Sequence, residues 1–110
     1  MKAGVVIAPA ILHAFEPESM TAIETPTLFI TGTQDTIAPS EPNAIYANAL
    51  LQQSEVKSIE HAGHYSFLST CTDFGKTTLE HLCHDSEKVT RRDIHDRAIA
   101  HIVPFLKKHL

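Results

Sequence analysis

Two residue types capable of proton transfer stand where buried segments of this sequence end. The stretch ITGTQDTIAP, residues 30–39, is apolar, turns on Gly32, and then presents Asp35 as the chain leaves the interior. A second stretch, HAGHYSFL at 61–68, places His64 after the small pair Ala62–Gly63, at the expected end of an extended run. In parallel sheets, reacting groups gather at the carboxyl ends of neighbouring strands, so a carboxylate after one strand can meet an imidazole after the next. Such a carboxylate fixes the imidazole tautomer and stabilises the imidazolium formed when the ring takes a proton. An Asp in a G-x-x-D turn also serves as a turn former that caps backbone amides, and spacing alone leaves both readings of Asp35 standing.

The neighbours of this pair offer weaker chemistry. His61 competes with His64 for the imidazole role, but Gly63 beside His64 is expected to permit the closer approach, leaving His61 to line the strand end or face solvent. Ser66 lies two residues from His64 and offers an aliphatic hydroxyl, yet an extended segment provides no sharp elbow to expose it as a nucleophile. Tyr65, Phe67 and Leu68 are read as packing the chain after His64 against the sheet.

A second cluster, His81, Cys83 and His84 with Cys71 and His95 nearby, raises zinc chemistry. Zinc takes imidazole nitrogen or thiolate in a tetrahedron, at about 2.0–2.3 Å. The HLCH run matches none of the usual paired ligand spacings, so these are read as solvated loop histidines, with no metal and no cofactor expected. Cys71 and Cys83 admit two readings, a pair of free thiols or a disulfide closing the segment between them, the latter contributing about 2–3 kcal/mol.

Thirteen acidic against nine basic residues give a formal charge of −4, without the basic blocks that track a phosphate backbone. Nucleic acid is therefore not an expected partner. The opening MKAGVVIAPA is too short for a membrane span and is interrupted by Pro9, so it reads as a strand and not as a signal peptide. Neither a signal peptide nor a transmembrane segment is read in these residues; no membrane partner is expected, and the default location is cytoplasmic.

At 110 residues the chain suits a single domain, 1–110, burying roughly 65% of its unfolded surface. AGVVIAPAI, a β-branched run ending at proline, suits a strand covered on both faces. PTLFITGT is a second strand with hardly any polar alternation, and VKSIEHAG a weaker third. Between the first two lies the helix-permissive LHAFEPESMTAIET, broken at Pro17; between the second and third, Ser40 is placed to cap a helix over NAIYANALL, with Pro42 in its first turn. Residues 69–90 lack periodicity and read as a loop. A last helix starts at Thr90, with Asp93 three residues on, aligns Ile94, Ala98, Ile102, Phe105 and Leu106 on one face, and is expected to kink near Pro104. The alternation predicts an α/β class: parallel β-strands with flanking helices in three layers.

PTLFITGTQDTIAPS, a helix, and then HAGHYSFL together resemble the C-terminal part of the α/β-hydrolase fold. AGHYSFLSTC, with a second cysteine before RRDIHDRAIAHIVPFL, is similar to the dienelactone hydrolase group of that superfamily, and the resemblance runs over residues 3–106. It implies an esterase-type hydrolase in which Asp35 is the acid and His64 the general base of a catalytic triad. The nucleophile of such enzymes stands in a G-x-S-x-G or G-x-C-x-G turn, and none of Gly4, Gly32, Gly63 or Gly75 belongs to one. The expectation is thus a fragment carrying two triad members, acting on a small-molecule ester or lactone if completed by an N-terminal half. The alternative is a non-catalytic remnant or interaction module, pairing or self-associating through the unpaired edge of its first strand.

Overall fold

Thr27–Gly32 forms the central strand, β2, of a computed structural model that describes residues 1–110. All six of its positions are buried, which is the consequence of a run with no polar alternation: the strand must be covered on both faces. Leu28 and Ile30 point to one side, into a core with Ile59, Ala62, Ile94, Ala98 and Phe105. Phe29 points to the other, against Met20, Ala44, Ala47 and Leu51.

β1 (Gly4–Ile7) runs parallel to β2, with Gly4 opposite Thr27 and Ile7 opposite Ile30. β3 (Ser54–Ile59) runs parallel along the other side, from Ser54 opposite Thr27 to Ile59 opposite Gly32. The strand order is β1-β2-β3. The first strand is covered on both faces, Val5 packing against the core that holds Leu28 and Ile30 and Val6 against the core that holds Phe29. The cover is partial: β1 is half-buried, Ile7 is 43% exposed, and the strand has a sheet neighbour on one side alone. The amides of Gly4 and Ala8 donate to Pro26 and Ile30 of the β2 side, so the alternating amides of Val5 and Ile7 point to the open edge.

The α/β class with flanking helices holds. On the Phe29 face lie α1 (Pro17–Thr21), which Pro17 starts from its first turn, and α2 (Tyr46–Leu50). Ser40 is not the cap that its position suggests: it has helical dihedrals and no side-chain cap bond. The wide turn Glu41–Ile45, with the Ile45 amide on the Ser40 carbonyl at 2.8 Å, leads into α2 instead. Asn43 organises that turn, its side chain donating to the Pro39 carbonyl at 2.8 Å and accepting from the Leu12 amide at 3.0 Å.

Residues 69–90 are not a plain loop. They hold α3 (Asp73–Thr78) and α4 (Glu80–Cys83), tied by a Cys71–Cys83 disulfide. Neither helix buries a residue, which is why no apolar stripe betrays them. α5 (Arg91–His109) covers the opposite face of the sheet, begins with the expected reciprocal Thr90–Asp93 cap, and buries Ile94, Ala98 and Phe105. It continues through the exposed Pro104 to its end, where Lys107, Lys108 and His109 complement the helix dipole. No helix is long and apolar enough to cross a membrane.

Candidate functional site

Beyond β2 the chain turns back on itself, the Asp35 amide donating to the Gly32 carbonyl at 3.2 Å. This carries the Asp35 carboxylate into the interior, where its side chain has no exposed surface. Its Oδ1 accepts the amides of Ile37 at 3.0 Å and Ala38 at 2.7 Å. Its Oδ2 lies 2.8 Å from Nδ1 of His64. The two readings of Asp35 therefore describe one carboxylate, with one oxygen forming the turn and the other holding the imidazole. Three hydrogen bonds are what make a buried carboxylate tolerable.

His64 is reached differently from the sequence-based expectation. β3 stops at Ile59, residues 60–63 form a turn with His61 at a positive φ of 68°, and His64 opens a 3-10 turn, His64–Phe67. The two loops are joined by backbone: the Thr33 amide donates to the Ile59 carbonyl at 3.1 Å and the Gln34 amide to the Ala62 carbonyl at 2.9 Å. The His61 amide donates to the Thr33 hydroxyl at 2.9 Å. The close approach expected at Gly63 lies instead at Gly32. A side-chain carbon on Gly63 would meet nothing nearer than 3.8 Å, whereas one on Gly32 would lie 2.2 Å from the Ala62 carbonyl oxygen.

The aspartate can only accept, so Nδ1 of His64 carries the proton and Nε2 is left for chemistry. The imidazole side chain is 23% exposed and meets the Tyr65 ring edge-on at 5.3 Å between centroids. One side of it borders a cavity of about 310 Å³ at the end of β1, lined by Ile7, Ala8, Tyr65, Phe67 and Leu68. Another side borders a cavity of about 370 Å³ shared with Gln34, Thr36, His81 and His84. Phe67 packs against the core, as expected, but Leu68 is 50% exposed.

The competing candidates resolve on geometry. His61 is engaged by Gln34 Nε2 at 3.3 Å and stands near Glu60 at 3.7 Å. Ser66 is buried, accepts the Gly63 amide at 2.9 Å and donates to Asp85 at 2.8 Å. Its hydroxyl is thus committed away from nucleophilic attack. Of the metal candidates, Cys71 and Cys83 are oxidised to a disulfide and have no thiolate to offer, and His95 Nε2 donates to the carbonyls of Ser66 and Leu68 at 3.1 and 2.9 Å. No three His, Cys, Asp or Glu side chains converge as metal ligands.

Sequence reasoning missed Asp85 and Arg91. Arg91 is 6% and Asp85 13% exposed, and the guanidinium grips both carboxylate oxygens, Nε to Oδ2 at 3.0 Å and Nη2 to Oδ1 at 3.1 Å. Arg91 also donates to the carbonyls of Ser69 at 3.1 Å and Leu82 at 2.7 Å, which ties the segment of α3 and α4 to the start of α5. What the arrangement can do chemically is accept a proton at Nε2 while Asp35 stabilises the resulting imidazolium. No protein-family model matches the chain, and no curated protein matches it.

Proposed function

We propose that this chain is the acid- and histidine-bearing part of a serine-hydrolase-type acyl hydrolase of the α/β-hydrolase fold, similar to dienelactone hydrolases, with Asp35 and His64 as two members of its triad. The observation that carries the reading is the 2.8 Å contact between a wholly buried carboxylate and an imidazole whose other nitrogen is left for chemistry. In this reading a preceding strand pairs with the open edge of β1, and its sharp turn brings a serine or cysteine to the cavity beside Ile7, Ala8 and His64. Nε2 takes the nucleophile's proton as its oxygen or sulfur attacks the acyl carbon of a small ester or lactone. The same proton passes to the departing alkoxide, and a water then repeats the sequence to release the acid. Backbone amides beside the nucleophile would hold the oxyanion.

The test begins with the in-frame coding sequence before Met1, expected to encode a G-x-S-x-G or G-x-C-x-G turn. The extended protein should hydrolyse an activated ester, with activity abolished by His64→Ala. An extended protein that carries the turn, folds, and cleaves neither esters nor lactones would refute the reading.

A second reading rests on a separate observation, the outward amides of Val5 and Ile7 beside an apolar cavity of about 410 Å³ lined by Val6, Leu12, Phe15, Met20, Ile23 and Phe29. An edge of this kind suits a module that completes another chain's sheet without catalysis. A stable complex with a partner lacking any nucleophile turn would favour it.

A further inference from the structure

We infer that Asp85 is a positioning residue for His64, acting through Ser66 to set the turn from which the imidazole projects. The inference rests on the reading of His64 as the general base, and it concerns a residue distant from the reacting atoms.

Asp35 fixes one edge of the imidazole ring, but the ring's reach also depends on where its backbone is held. That backbone begins at Gly63, whose amide donates to the Ser66 hydroxyl at 2.9 Å. A hydroxyl alone would be free to rotate and to donate elsewhere. Asp85 removes that freedom: its carboxylate can only accept, so the Ser66 proton goes to Oδ1 at 2.8 Å and a lone pair is left facing the Gly63 amide. Arg91 then immobilises Asp85 through both oxygens and is itself held by the Ser69 and Leu82 carbonyls.

The path thus runs from Arg91, the first residue of α5, through Asp85 and Ser66 to the residue preceding His64. Since α5 packs on the sheet through Ile94 and Ala98, His64 is anchored twice. Asp35 holds its ring from the loop after β2, and Asp85, from the segment between α4 and α5, holds its backbone through Ser66. His95 pins the far end of the same turn at the Ser66 and Leu68 carbonyls, and does not touch the Gly63 amide.

A merely structural strap has little use for this network. The segment is already closed by the Cys71–Cys83 disulfide, and a nearly buried ion pair recovers little net stability over its desolvation cost. What the network supplies is a single orientation, and a fully satisfied buried polar network is suited to that.

Ring ¹⁵N and Nδ1-bound proton resonances of His64, recorded on the 110-residue chain, read the geometry directly. Asp85→Ala and Ser66→Ala are expected to shift or broaden these resonances while the amide spectrum of β2 and β3 stays native, and Ser66→Thr, which keeps a hydroxyl, should restore them. Wild-type His64 resonances in a folded Ser66→Ala chain would overturn the inference. Ser66→Ala leaves the Asp85–Arg91 pair intact, so it decides the matter should Asp85→Ala unfold the segment. In the extended hydrolase, Asp85→Ala should lower kcat about 100-fold at unchanged KM. Total absence of hydrolysis in the wild-type extended protein would sink the hydrolase reading alone, since the resonances report His64 geometry with or without turnover.

Discussion

Gly32 and Ala62 are in contact across two loops, so close that a side-chain carbon on Gly32 would stand 2.2 Å from the Ala62 carbonyl oxygen. That carbonyl accepts the Gln34 amide at 2.9 Å, and the contact therefore sets the span over which Asp35 meets His64. Gly32→Ala forces the loops apart and is expected to cost about 1–3 kcal/mol, as overpacking does. Gly63→Ala meets no such crowding at a φ of −95° and should stay within about 0.5 kcal/mol of wild type. Urea unfolding of the two variants checks the contrast, and equal stabilities would remove Gly32 from its role as the spacer.

Asp35 serves two clients with two oxygens, and substitution can separate them. Asp35→Ala strips the acceptor from the Ile37 and Ala38 amides, and the loss is expected to cost about 1–3 kcal/mol in chemical denaturation. Asp35→Asn retains a carbonyl oxygen for those amides but removes the charge that stabilises an imidazolium. If the proposed hydrolase reading holds, in the extended protein it should preserve most of the stability while lowering turnover about 10⁴-fold. Turnover near wild type in a folded Asp35→Asn protein would dismiss Asp35 as the triad acid.

Why Asp35 was legible in the sequence, and Asp85 was not, has a physical reason. β2 announces itself because a strand buried on both faces has hardly any polar alternation, and Asp35 follows three residues after its end. α5 announces itself through its cap and an apolar stripe. The disulfide-tied helices α3 and α4 bury nothing, so hydrophobic periodicity has no hold on them. The run DSEKVTRRD around Asp85 and Arg91 reads as a solvated charged stretch, because the burial of both depends on carbonyls and a serine contributed from elsewhere in the chain. The choice between Gly32 and Gly63 as the crowded glycine was likewise closed to local reading: it turns on a contact across two strand ends. Ser40 misled for the opposite reason, since a good local cap signal lost to the turn that Asn43 organises.

The cap of α5 carries a pH signature. The Thr90 amide, at 3.2 Å, and then the Thr90 hydroxyl hold the Asp93 carboxyl below the usual aspartate range; desolvation opposes this, and Arg97 adds a smaller pull in the same direction as Thr90. A carboxyl depressed in the folded state contributes stability that is present above its unfolded value, about 3.9, and is lost as pH falls through the lower folded value. The stability gap between wild type and Asp93→Asn should therefore be constant near neutrality and shrink in acid. Denaturant unfolding across a pH series reads it, and a gap that stays constant into strong acid would contradict the assignment.

The open edge of β1 makes a prediction that holds whichever functional reading survives. Gly4 and Ala8 spend their amides on β2, which leaves those of Val5 and Ile7 facing outward beside an apolar cavity. Unpaired amides next to exposed apolar surface invite a second strand. The isolated chain should consequently self-associate, its apparent mass in sedimentation or light scattering rising with concentration. Ile7, 43% exposed on that strand, is where a charge can oppose pairing without disturbing the β2 side, so Ile7→Lys should shift the chain toward monomer. The same substitution should weaken binding of the preceding segment in the hydrolase reading, or of a partner chain in the other, because both occupants would use one edge. A wild-type chain that remains monomeric at high concentration would show that this edge, despite its free amides, is not a pairing surface.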